Sequence, residues 1–171
     1  MSVPVTYSYS GRQVDLELLK SVVNPSYSFQ RVYPSVANVP PVLDSDPKSV
    51  TGVEKAVQRY TNLLLTNLGS VHLREDLGGM LVIRVFNGSV ASTADLVNLF
   101  AIANHNALVA MATDDTDESF GDQPDDEKIY DVELIDSNID YASATISLSL
   151  GLHMVSGLDY KYVIPIKAGI S

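Results

Sequence analysis

Cysteine is absent from this chain of 171 residues. Its absence excludes a disulfide scaffold, a thiolate zinc site and a cysteine nucleophile, and it is compatible with a reducing compartment. Basic charge is scarce as well. Eleven Lys and Arg stand against 21 Asp and Glu, for a net charge of −10. No basic stripe runs along the chain, so it has no electrostatic means of gripping nucleic-acid phosphates. No stretch approaches about 18 uncharged apolar residues, and no membrane span is expected. The N-terminal MSVPVTYSYSG lacks both a basic start and an apolar core, so no signal peptide is expected. Catalytic templates are missing too. There is no GxSxG, P-loop, GxGxxG, HxxxH or HExxH, and DLGGML offers only a glycine pair.

What is present suits one folded domain. Apolar residues make up 46% and charged residues 19%, the mix of a globular protein with a single core. The acidity is local. Residues 114–127, DDTDESFGDQPDDE, hold eight acids and no base, so the remainder is close to neutral. An EF-hand loop started at Asp115 would need glycine where Phe120 stands, and Gly121 comes one residue late. The stretch reads instead as a solvated or interface-facing loop, and no metal site is expected.

The first fifty residues hold six of the eight prolines. Proline withdraws a backbone donor and restricts its neighbour, so residues 1–50 read as an extended arm ordered by what it touches. Within it, VDLELLKSVV (14–23) is amphipathic enough for a short helix.

From residue 51 the pattern becomes regular. Thr51 and Glu54 fit a capping box, and Val53, Val57, Tyr60 and Leu64 share one helical face. This predicts a helix over about 51–67, with Gly69 placed for a left-handed stop. GGMLVIRVFNG (78–88) is ambiguous between strand and short helix. Ser92 or Thr93 can cap a second long helix over about 93–112, with Asp95 in its first turn and Leu96, Leu99, Phe100, Ala103, Ala107 and Ala110 at helical spacing. After the acidic stretch the period drops to two. YDVEL (130–134) alternates, and so does YASATISLSLGLHMV, where Ala142, Ala144, Ile146, Leu148, Leu150, Leu152 and Met154 share the buried side. YKYVIPI (160–166) is a last strand, at a sheet edge near its end because Pro165 cannot donate to a ladder. The fold class is therefore α+β: an antiparallel meander of about three strands packed against two main helices, with an extended N-terminal arm.

Two clusters invite a catalytic reading. In LGSVHLREDLGG, His72, Arg74, Glu75 and Asp76 crowd together. Paired carboxylates must face each other across a cleft for acid–base work, and neighbours in sequence point apart. The cluster reads as a turn whose Arg74 makes an ion pair or caps carbonyls. His72, His105 and His153 share no metal-ligand spacing and read as surface or internally satisfied histidines.

The order of segments resembles one family. TGVEKAVQRYTNLLLTNLGS is similar to a helix ending in a leucine-rich LLT-x-x-G. REDLGGML, VFNG, LFAIANHNALVAM, DDEKIYDVEL and the closing YVIPI follow in the same order. Over about residues 51–167 the chain resembles the sheath-initiator or baseplate wedge proteins of contractile phage tails, a family once described as lysozyme-like. No single motif is specific; the order and spacing carry the likeness. The resemblance implies a virion structural protein, present in the host cytoplasm during assembly. It would bind wedge and tube proteins in a six-fold arrangement, with its sheet extended by strands of the first sheath ring. It implies no enzymatic activity and no cofactor. Partner-binding positions would be Arg74 and Asp76 at the turn and Tyr160, Tyr162, Ile164 and Ile166 on the last strand. The family's glutamate–proline–arginine triplet is absent, and the acidic stretch stands in its place. Three alternatives remain: a tail-completion or connector protein of a non-contractile tail, a cell-wall hydrolase using Glu75, and the related subunit of a bacterial secretion system.

Overall fold

The structure is a computed structural model that describes residues 15–16, 23–24, 28–30, 49–71, 74, 77–116, 123–142 and 145–167. Among these residues, three helices cover one face of a three-stranded antiparallel meander, so the fold is mixed α+β. The elements are α1 (Val53–Leu65), α2 (Leu81–Phe86), α3 (Thr93–Thr116), β5 (Ile129–Asp140), β6 (Thr145–Met154) and β7 (Asp159–Lys167). Four short extended pieces precede them: β1 (Asp15–Leu16), β2 (Val23–Asn24), β3 (Ser28–Gln30) and β4 (Ser49–Val50). Of the stretch 14–23, read as a short helix, the described residues Asp15, Leu16 and Val23 lie in strands.

The sheet order is β2-β3-β7-β6-β5, and β6 is the middle strand of the β5–β6–β7 meander. Alternation explains the packing. Ile146, Leu148, Leu150, Leu152 and Met154 are buried and face the helices. Of their register partners on β7, Tyr162, Ile164 and Ile166 are fully buried on the same face and Tyr160 is half-buried. Ala142 stands in the turn before β6 and is exposed, so the buried face starts later than its spacing suggests. β5 is much longer than YDVEL. Register shifts between Ile129 and Asp131 and between Leu134 and Asp136 break its alternation, which hides its second half from a period-two reading.

The helices complete the core. Val57, Tyr60 and Leu64 of α1 are buried, as are Leu96, Phe100, Ala103, Ala107, Ala110 and Met111 of α3. The 78–88 stretch resolves as helix α2, with Leu81, Val82 and Val85 buried. β-branched residues favour a strand there, and tertiary burial overrides that preference. At the start of α3, Ser92 Oγ accepts from the Asp95 amide at 3.2 Å, the cap expected there, and Asp95 Oδ2 accepts from the Ala91 amide at 3.3 Å.

Three expectations need correction. The Thr51–Glu54 box does not form: the N-cap of α1 is Gly52, at φ 63°, with no local side-chain cap. The same helix ends at Leu65, with Thr66 already extended, so Gly69 is not its stop. Finally, α3 is long and apolar enough to cross a membrane by length and composition, because Leu96–Thr113 carries no formal charge. Its buried face nevertheless belongs to the core described here.

Candidate functional site

Three places bear on function: the turn at 66–80, the acidic stretch, and the two outer strands of the meander, β5 and β7. In the turn, the Leu68 amide donates to the Gly79 carbonyl at 3.0 Å and the Gly79 amide to the Thr66 carbonyl at 2.9 Å, so the loop closes on itself. Gly78 sits at φ +96°, where a Cβ would fall 2.4 Å from the Thr66 carbonyl oxygen; only glycine fits. The Arg74 amide donates to the Val71 carbonyl at 3.2 Å, and its guanidinium Nη1 lies 3.8 Å from Asp114 Oδ1. Arg74 thus ties the turn to the end of α3. His72, Glu75 and Asp76 lie outside the described residues.

The acidic stretch is not simply a solvated loop. Its first residues, Asp114 and Asp115, belong to the last turn of α3, and its last, Glu127, is almost fully buried. Glu127 Oε2 accepts from Lys55 Nζ at 2.8 Å, and Glu127 Oε1 accepts from the Gly52 amide at 3.0 Å. One carboxylate therefore neutralises a buried lysine and satisfies the N-terminus of α1 from 75 residues away. One turn along α1, Arg59 Nη1 donates to Gln123 Oε1 at 2.6 Å and to Asp115 Oδ1 at 3.2 Å, with Asp114 Oδ2 3.7 Å from Nη2. Lys55 and Arg59 are four apart, so they share a helix face, and both ends of the acidic stretch fold onto it. This is the correction to the loop reading: three of its eight acids, Asp114, Asp115 and Glu127, are engaged with α1. The only sequence signal was that basic pair on a helix that otherwise shows its apolar face to the core.

Tyr60 and Asn104 make a second polar link that sequence reasoning missed. The Tyr60 hydroxyl donates to Asn104 Oδ1 at 2.8 Å, and Asn104 Nδ2 donates to the Val132 carbonyl at 3.0 Å. The chain α1–α3–β5 is closed by these two bonds. Burial, and secondarily the charge of Asp131, push the Tyr60 phenol well above the ordinary tyrosine range.

His105 is exposed on α3. On the outer face of the sheet, His153 Nδ1 lies 2.7 Å from Asp159 Oδ1, and its ring sits 5.9 Å from that of Tyr130. Among the described residues no group of three or more His, Asp or Glu is arranged to hold a metal ion.

The two outer strands of the meander differ. β5 has no strand beyond it among the described residues. It carries Asp131, Glu133, Asp136 and Asp140, all exposed, and two register shifts. Charges and bulges of this kind blunt an edge against pairing. β7 pairs with β6 from Asp159 to Lys167. On its other side, among the described residues, β3 runs parallel to it at Lys161, Tyr162 and Val163, so β7 is an internal strand there and not the sheet edge expected of it. From Ile164 onward that side has no strand partner among the described residues, and Pro165 lies there. Tyr162, Ile164 and Ile166 turn their side chains into the core, and Tyr160 packs against it half-buried. What β7 offers a partner at these positions is backbone.

No protein-family model matches this chain, and no curated protein or solved structure matches it either.

Proposed function

We propose that this protein is a structural component of a phage tail baseplate that joins wedge and tube and nucleates the sheath by accepting a strand at its sheet. The order of segments from TGVEKAVQRYTNLLLTNLGS to YVIPI motivates the family. The observation that carries the mode of action is the contrast between the edges. β5 is charged and bulged, whereas β7 beyond Val163 is uncharged through Ile166 and has its outer side open among the described residues. An added strand gains affinity from main-chain hydrogen bonds, which need no particular side chain on β7. In this reading the partners are wedge and tube proteins and the first sheath ring in six-fold arrangement, and the chain catalyses no reaction and holds no cofactor.

The missing triplet favours keeping a second reading, a completion or connector protein of a non-contractile tail. Electron microscopy of particles assembled without this protein separates the two. The first reading expects tail tubes bearing no polymerised sheath, restored by supplying the intact chain. Normal contractile tails in its absence would refute it. A parent particle whose tail has no sheath would establish the connector reading instead.

A further inference from the structure

We infer that Asn87 is a self-modification site: its side chain deamidates spontaneously to aspartate and isoaspartate, and the C-terminal cap of α2 sets the rate. The inference goes beyond the function proposed above and does not depend on it.

Of the nine asparagines in the chain, only Asn87 is followed by glycine. Deamidation begins when the backbone nitrogen of the next residue attacks the asparagine side-chain carbonyl carbon. A side chain on that next residue obstructs the approach, and Gly88 has none. Asn87, Gly88 and Ser89 are all exposed, so water and hydroxide reach them. In the step itself the Gly88 nitrogen gives up its proton and bonds to Asn87 Cγ. The bond from Cγ to Nδ2 breaks, and Nδ2 leaves as ammonia. The product is a cyclic imide, which water then opens. Cleavage between the nitrogen and Cγ gives aspartate. Cleavage between the nitrogen and the main-chain carbonyl carbon gives isoaspartate, in which the main chain runs through the former side chain.

The fold holds the attacking nitrogen back. Asn87 is the C-cap of α2, and Gly88 follows it at φ 60°. The Gly88 amide donates to the Val85 carbonyl at 3.1 Å, and the Ser89 amide donates to the Arg84 carbonyl at 3.0 Å. These two bonds make a Schellman cap, which calls for a left-handed residue where Gly88 stands. The glycine that leaves Asn87 open to attack is therefore the one that ends the helix. While the cap is closed, the Gly88 proton is committed to Val85, so the nitrogen cannot attack until the cap opens. α2 has only six residues and an exposed end, features of segments that open locally at low cost. Its buried Leu81, Val82 and Val85 oppose that opening. Either product places a carboxylate at the helix C-terminus, where the dipole disfavours it. Isoaspartate also lengthens the main chain inside the cap, so the two cap bonds no longer close together. α2 packs against α3 and β7, and that corner of the core loosens as the chain ages.

The test incubates the full chain in mildly alkaline buffer and follows each asparagine by peptide mapping and mass spectrometry, which detects the change from amide to acid and separates the isoaspartyl isomer. The reference is a synthetic peptide of residues 82–93, VIRVFNGSVAST, which is too short to hold a stable helix or its cap. Asn87 should convert before any other asparagine of the folded chain, and at least about tenfold more slowly than in the peptide. Val85→Ala removes buried packing from α2 and should move the rate in the chain toward that of the peptide. Should this variant fail to fold, urea below the unfolding midpoint takes its place, and the rate should climb with urea. Conversion of another asparagine first would overturn the site, as would no conversion at Asn87 after incubation many times longer than the peptide needs. Equal rates in chain and peptide would overturn the control by the cap, as would a rate that neither Val85→Ala nor urea changes.

Discussion

Glu127 and Lys55 form a buried ion pair at 2.8 Å, 72 positions apart in the chain. The same carboxylate accepts from the Gly52 amide, so it replaces a local cap at the start of α1. Replacing Glu127 by Gln should leave an acceptor for Gly52 while removing the charge that compensates Lys55. Breaking one side of a buried pair typically costs about 3–5 kcal/mol, so urea denaturation should show a loss near the lower figure. The double change Lys55→Met with Glu127→Gln should cost less than Glu127→Gln alone, since it leaves no uncompensated charge and keeps an acceptor for the Gly52 amide. A Glu127→Gln midpoint indistinguishable from that of the native chain would show that the pair adds nothing.

Tyr60 gives the fold an alkaline limit. Its phenol is held protonated in the folded state, above the value of about 10 for an unfolded tyrosine. Between those two values the folded state binds a proton that the unfolded state has lost. Stability attributable to this group is therefore complete below about pH 10 and falls as pH rises further. Thermal melts from pH 8 to 11 should show the decline, and Tyr60→Phe should flatten it. At pH 7 the same substitution leaves Asn104 Oδ1 without its donor and should cost about 1 kcal/mol.

Two glycines with positive φ should respond differently to alanine. Gly69 sits at φ +74° with nothing within 4 Å of an added Cβ, so Gly69→Ala should cost only the backbone strain, about 1–2 kcal/mol. Gly78 adds a collision with the Thr66 and Asn67 backbone to the same strain, and Gly78→Ala should lose more than about 3 kcal/mol. Melting temperatures of the two variants, compared side by side, check the order.

Gly151 is the opposite case. It lies in the middle of β6, where an added Cβ would make ordinary contact with Ile135 at 3.4 Å. Gly151→Ala should stabilise the protein by about 0.5–1 kcal/mol, because the unfolded chain loses freedom and the folded one gains a contact. A lower denaturation midpoint for this variant would contradict the described packing.

Strong periodicity was readable in the chain, and compensation between distant residues was not. The buried face from Ile146 to Met154, the apolar face of α1 and the Ser92 cap all follow from spacing over a few residues. Glu127 could not be paired with Lys55 in that way, because nothing local distinguishes it from the other seven acids of 114–127. β5 was read too short because a bulge at residue 135 shifts the phase of its alternation, placing Leu134, Ser137 and Ile139 on one side. α2 was left undecided because Val82, Ile83 and Val85 favour strand locally while the space between α1 and β7 admits a single turn and a half of helix. The seating of β3 on β7 is a contact across more than 130 residues, and no sequence spacing encodes it.

The way acids are distributed around α1 has a consequence for how the protein meets electrolyte. The Lys55–Glu127 pair is sheltered from water, and mobile ions weaken such a pair little. Among the described residues, Asp125, Asp131, Glu133, Asp136, Asp140 and Asp159 face solvent, four of them along β5, within a net charge of −10. Added sodium chloride therefore screens mainly repulsion, and the folded state should grow firmer, not weaker, as ionic strength rises.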